Sequence, residues 1–102
     1  MTSAFKETQA TIGEWASLTF GTAAQLLRTA TRANEEMAEL LTALCAGDNA
    51  KAAEEIADVM ILLFLLGERI GVDVHREIDR KMQINRQRTW QLDGTGHGYH
   101  VG

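Results

Sequence analysis

The chain has 102 residues, with 10 Lys+Arg against 14 Asp+Glu, a formal net charge of −4, 45% hydrophobic residues, one cysteine and no proline. That length allows one domain, and a domain of this size buries roughly 60–70% of the surface its unfolded chain exposes. The acidic balance argues against a general binder of nucleic-acid polymers, whose affinity comes from neutralising phosphates, and the lone Cys45 excludes an internal disulfide framework.

Chain order gives four predicted helices. The first runs from Ser3, a possible N-cap, to about Leu18, with Ile12, Trp15 and Leu18 at helical spacing. Thr19-Phe20-Gly21 interrupts it. The second starts at Thr22, with Gln25 three residues on in a capping-box arrangement. Leu26, Ala30, Ala33, Met37, Leu40 and Leu44 then share one face, and Cys45 at its end reads as a small buried residue. Gly47 suits a left-handed C-cap, and Asp48 or Asn49 suits the next N-cap.

The third helix runs from about Ala50 to Ile70. Its middle, Val59 to Leu66, is apolar on every face and must be covered all round. A chain this short can hardly wrap it alone, so a partner subunit is expected, in a homodimer or homotetramer. The same run would span only about 12 Å of helix, against a hydrocarbon core of about 30 Å, so no membrane partner is expected. Met1 to Gln9 lacks the apolar centre of a signal peptide, which points to the cytoplasm. The fourth helix runs from Asp73 to about Gln91, with Val74, Ile78 and Met82 inward. The last stretch, about 92–102, has glycine at 94, 96, 98 and 102 and reads as a loop or tail. Short loops predict antiparallel neighbours, an all-α bundle of one domain over 1–102.

The chemistry is in the acids. Glu35, Glu36 and Glu39 lie on the second helix; Glu54, Glu55 and Asp58 lie on the third. Spacings of three and four put carboxylates on one face, where like charges destabilise the helix by a few tenths of a kcal/mol each. At about 100° per residue, Glu36 and Glu55 border the apolar stripes, and antiparallel packing can bring the two sets together. A divalent cation would compensate, and oxygen donors without sulfur or imidazole select hard ions such as Mg²⁺ or Mn²⁺. The plain alternative is a solvated acidic face. No Glu-x-x-His motif follows these glutamates, which speaks against a ferritin-style di-iron site. On the fourth helix, Lys81, Asn85 and Arg88 follow four- and three-residue steps. Cations beside a metal-binding cluster suit a polyphosphate; the alternative is a surface stripe paired with Glu77 and Asp79.

Glu35-Glu36-x-x-Glu39, followed by Glu55-x-x-Asp58, resembles the EExxE…ExxD signature of MazG-like nucleoside triphosphate pyrophosphohydrolases, all-α enzymes related to dimeric dUTPases. Ala57-Asp58-Val59, Gly71-x-Asp73 and Lys81-x-x-x-Asn85-x-x-Arg88 extend the likeness. Glu14-Trp15-x-x-x-Thr19-Phe20-Gly21 and Arg88-Thr89-Trp90 resemble the phage and bacterial dATP/dGTP diphosphohydrolase branch, including MazZ enzymes.

The resemblance implies Mg²⁺-dependent hydrolysis of a (deoxy)nucleoside triphosphate to the monophosphate and pyrophosphate, with Mn²⁺ able to substitute. It implies a purine substrate, dGTP/GTP or dATP, in nucleotide-pool control or phage DNA modification, and the host cytoplasm if the chain is phage-encoded. Glu36, Glu39, Glu55 and Asp58 would hold the metal, and Glu35 would add a ligand or orient water. Glu54 beside Glu55 leaves the choice between them open. Lys81, Asn85 and Arg88 would hold phosphates. Trp15 and Phe20 could stack on a base and Asn34 read its edge; their alternatives are core packing and a plain surface position. His97 and His100 fit either a phosphate cover or the tail. The competing functions are a dUTP/dCTP pyrophosphatase of the same fold and a non-catalytic helical dimerisation module.

Overall fold

The computed structural model describes residues 5–22 and 25–101. Among them are helices α1 (Gln9–Phe20), α2 (Leu26–Cys45), α3 (Asn49–Arg69) and α4 (Val74–Gln87), then strands β1 (Thr89–Leu92) and β2 (Gly98–Val101). No helix of the described residues is long and apolar enough to cross a membrane.

Local chemistry sets the helix ends. The proposed cap Ser3 lies outside the described residues. α1 begins at a capping box: Thr11 N–H donates to Thr8 Oγ1 at 3.2 Å, and Thr8 N–H donates to Thr11 Oγ1 at 2.7 Å. The capping box expected at Thr22 and Gln25 does not form. Gln25 is itself the N-cap of α2 and makes no side-chain cap bond. Gly47 turns the chain at φ +69°, and the Asp48 carboxylate then accepts the Lys51 N–H at 3.0 Å to open α3. Asp73 caps α4 in the same way, through Arg76 N–H at 3.2 Å.

α3 is the hub on which α1, α2 and α4 pack. Its contact with α2 is a seam of small side chains: Ala33 and Ala43 of α2 and Ala52 of α3 are buried, with Leu40 among them. Short side chains let two backbones approach closely, so this seam outcompetes the bulkier face. Of the six stripe residues expected to be inward, two are therefore buried and four, Leu26 and Ala30 among them, are exposed. Ala33 and Leu40 are buried, but Met37 is 42% and Leu44 54% exposed. Cys45 is exposed rather than buried, because it ends α2 outside the seam. α1 repeats the pattern: its buried residues are Gly13 and Ala16, while Trp15 is 53% exposed and thus not core. Within the Val59–Leu66 run only Leu65 is buried; Met60, Ile61 and Leu63 remain open. α4 has no buried residue.

Two polar fasteners lock the hub. Gln9 Nε2 donates to Glu68 Oε1 at 3.1 Å and to the Val72 carbonyl, while Val74 N–H donates to Gln9 Oε1 at 3.0 Å. Arg69 Nη1 donates to Thr29 Oγ1 at 3.1 Å, joining α3 to α2.

The last segment is a β-hairpin and not a loop, and α4 stops at Gln87, short of Gln91. β1 and β2 pair antiparallel, with Trp90 opposite His100 and Gln91 opposite Tyr99. Gly94 and Gly96, at φ +85° and +88°, make the turn, and Asp93 Oδ1 accepts Thr95 N–H at 2.9 Å within it. Trp90 Nε1 donates to the Asn85 carbonyl at 2.9 Å and anchors the hairpin to α4. Edge-on contact between Trp90 and His100 adds to the pairing.

Gly67 makes the α3–α4 corner possible, since a methyl there would collide with Val74 Cγ2. Overpacking costs about 1–3 kcal/mol, and the helix preference of alanine offsets about 1 kcal/mol of it. Gly67→Ala is expected to lower unfolding free energy by about 1 kcal/mol in urea titration. Gly13→Ala should cost less than Gly67→Ala, because the atoms it meets all belong to the exposed Glu68 side chain, whose displacement gives up only its bond to Gln9.

Candidate functional site

The α2–α3 seam puts three carboxylates together. One oxygen each from Glu36, Glu39 and Glu55 lie within 4.8 Å of one another. Glu55 is the deepest, at 1% exposure. Its Oε1 pairs with Lys51 Nζ at 3.0 Å, and its buried Oε2 meets no hydrogen-bond donor among the described residues while the neighbouring carboxylates are ionised. Glu36 is mostly covered and reaches Arg32 Nη2 at 3.6 Å. Glu39 is exposed at the mouth.

Shared charge divides the protons. A hydrogen bond with Glu55, then desolvation and the negative charges of Glu39, Glu55 and Asp58, push the Glu36 carboxyl up to about 7. Hydrogen bonds from Glu36 and Lys51 hold Glu55 below the usual carboxylate range. When the pair holds one proton, Glu36 is thus its favoured carrier and Glu55 keeps the charge. Lys51 is pushed up in turn, chiefly by its bond to Glu55.

The other acids sit further out. Asp58 is exposed one turn beyond Glu55; its field reaches Glu36, but its carboxylate is not in the tight group. Glu35 is exposed and outside that group. Between Glu54 and Glu55, α3 turns Glu55 inward and leaves Glu54 in solvent, 3.7 Å from Lys51 Nζ. All-oxygen donors and an orphaned buried oxygen fit a hard divalent cation better than a soft one.

The cationic residues are separate from this group. Lys81 is exposed on α4, and Asn85 and Arg88 are half-buried near its end. Among the described residues, no hydrogen bond or ion pair joins their side chains to the acids. Glu77 pairs with Arg80 at 3.0 Å and not with Lys81.

Beside the acids lies an open groove of about 520 Å³, formed by α2 and α3. Leu27, Ala30 and Met37 form one side, Val59 and Leu63 the other, and Asn34 and Thr31 bring polar groups to it. Asn34 precedes Glu35, and Val59 follows Asp58, so groove and acids adjoin along both helices. Sequence reasoning found Asn34 but not Thr31, Val59 or Leu63; the all-round apolar run concealed the last two. Trp15 and Phe20 meet edge to face at 5.5 Å on α1 and do not line this groove. His75 stacks on Phe64 at 5.3 Å, and His100 meets Trp90 edge-on at 5.9 Å; neither His75, His97 nor His100 joins the carboxylates.

The chain is similar to known proteins over most of its length. A profile described as the MazG-like family matches residues 25–97. The dATP/dGTP diphosphohydrolase of Cyanophage S-2L is 40% identical over 81 residues, covering 79% of this chain and 67% of that protein. The dATP/dGTP diphosphohydrolase of Salmonella phage PMBT28 is 34% identical over 105 aligned positions, covering 98% of this chain but 32% of that protein, so the chain spans about a third of it. Among solved structures, a Cyanophage S-2L MazG-like pyrophosphohydrolase bound to dGDP and three catalytic Mn²⁺ ions per active site superposes with a TM-score of 0.74 and 31% identity. That match covers 92% of this chain and 93% of the other. The profile match starts at the N-cap of α2 and ends in the turn of the hairpin, so it takes in both acid-bearing helices and the cationic one: the chain belongs to the MazG-like family.

Proposed function

We propose that the chain hydrolyses a purine (deoxy)nucleoside triphosphate, dGTP/GTP or dATP, to the monophosphate and pyrophosphate. The observation that carries this is the convergence of Glu36, Glu39 and Glu55 around a buried, unpartnered carboxylate oxygen. Relatives that are phage dATP/dGTP diphosphohydrolases, and a similar structure holding dGDP and Mn²⁺, favour a purine over the pyrimidine reading.

Glu36, Glu39 and Glu55 would hold Mg²⁺ or Mn²⁺, with Asp58 one turn along α3 completing the set. When bound, the cation supplies positive charge for phosphate oxygens and makes water a better nucleophile near neutral pH. Glu35, exposed beside the group, is suited to orient that water toward the α-phosphorus. Glu36 must give up its proton before it can bind a cation, since a ligand carboxylate is ionised. Lys81, Asn85 and Arg88 are assigned to the phosphates, where cations stabilise charge on the leaving pyrophosphate. The base is assigned to the α2–α3 groove, whose apolar walls fit a planar ring and whose Asn34 amide can bond its edge. Trp15 and Phe20 lie off that groove. This activity suits nucleotide-pool control or phage DNA modification.

A second copy of the chain is proposed to cover the open faces of α2 and α3, giving a dimer or tetramer. Outside the groove, Leu41, Leu44, Ile56 and Met60 expose apolar surface that a lone chain leaves in water.

The reaction is tested by offering the eight common NTPs and dNTPs with Mg²⁺ or Mn²⁺ and resolving products by ion exchange. Monophosphate plus pyrophosphate from a purine triphosphate, abolished by EDTA, is expected. Turnover confined to dUTP or dCTP would move the substrate, and no turnover at all would restore the dimerisation-module reading. Glu55→Gln should lower turnover by about a hundredfold or more with helicity intact, whereas Glu54→Gln should stay within about twofold. Equal effects of the two would remove the ligand assignment. Light scattering should give a multiple of 11.2 kDa; a stable monomer would overturn the assembly proposal.

A further inference from the structure

Lys51 lies in the first turn of α3, where its backbone N–H is fixed on the Asp48 carboxylate. Its Nζ stands between two acceptors of opposite character. One is Glu55 Oε1 at 3.0 Å, on a side chain 2% exposed; the other is Glu54 Oε2 at 3.7 Å, on a side chain 72% exposed. The lysine side chain is itself about half in solvent, so its ammonium is free to shift between them.

A buried ionised carboxylate beside two further acids is costly unless a positive charge lies close by. Glu55 is in that position, and the ammonium of Lys51 supplies the charge. A divalent cation among Glu36, Glu39 and Glu55 would neutralise the same carboxylate. Two cations a few ångströms apart repel, so each weakens the hold of the other. Glu54 offers the displaced ammonium an exposed carboxylate without any backbone movement.

We infer that Lys51 is a resident counter-ion of the acidic site: its ammonium holds Glu55 while the divalent cation is absent and turns to Glu54 when that cation binds. The inference rests on the metal-binding reading above. Lys51 is a positioning residue, acting through Glu55 and not on the nucleotide. Glu54, which contributes no ligand, gains a purpose as the alternative partner.

The test uses the whole chain, Mn²⁺ alone and no nucleotide. Free Mn²⁺ is read from its paramagnetic resonance signal during titration, and the metal-free melting temperature is measured in parallel. Lys51→Met should tighten Mn²⁺ binding by about fivefold, a figure reduced by the solvent exposure of the lysine. It should also lower the melting temperature of the metal-free protein more than that of the loaded protein. Lys51→Arg, which keeps the charge, should not tighten binding. Lys51→Gln carries the same expectation as the methionine variant and replaces it if circular dichroism shows lost helix. Unchanged Mn²⁺ binding in the charge-removing variant overturns the inference alone, and so does weaker binding, which would make Lys51 a clamp for the loaded site. Absence of Mn²⁺ binding by the wild-type chain overturns the metal reading and this inference together.

Discussion

The close approach of α2 and α3 is the constraint on which the rest depends. It exists because Ala33, Ala43 and Ala52 present almost no bulk to the seam. With larger side chains there, the helix axes would stand further apart, and the carboxylates of Glu36, Glu39 and Glu55 would not meet. The same approach buries Glu55 and strips water from it. Bringing the three acids together and desolvating one of them are therefore one event, and both follow from small residues that carry no chemistry.

Because small residues close the intrachain seam, large ones are left over. Met37, Leu44, Met60 and Leu63 sit on open faces, and α4 extends with no buried residue. The hairpin also stands exposed along both strands, held to α4 through Trp90. Two-stranded pairings are marginal alone, so the Trp90–Asn85 bond and the edge-on ring contact matter here more than they would in a wider sheet.

Much of this could be read in advance, and the failures have physical causes. Helices α2 and α3, the turn at Gly47-Asp48 and the two acid sets followed from spacing, because helical periodicity and caps are local properties. Which of Glu54 and Glu55 faces inward was not local: a step of about 100° separates them, and only the α2–α3 register chooses. The buried seam was misjudged because periodicity is dominated by bulky residues such as Met37 and Leu44, whereas alanine is nearly silent on a hydropathy pattern. The hairpin was missed because Trp90-Gln91-Leu92 and Tyr99-His100-Val101 are too short to alternate convincingly, and the glycines between them read as a tail. Asn34 was found beside the acids, but its groove needed two helices to exist.

Gln9 lies well before the stretch that identifies the family. Its amide nitrogen and oxygen are both spent on the corner between α3 and α4, through the Val72 carbonyl and the Val74 N–H. The direction in which α4 leaves the hub is thus set by the first turn of α1. A fragment trimmed to residues 25–97 would keep the acids, the groove and the proposed phosphate-holding residues. It would lose the amide that aims the helix bearing Lys81 and Asn85. The boundary of what is recognisable and the boundary of what must stay connected do not coincide in this chain.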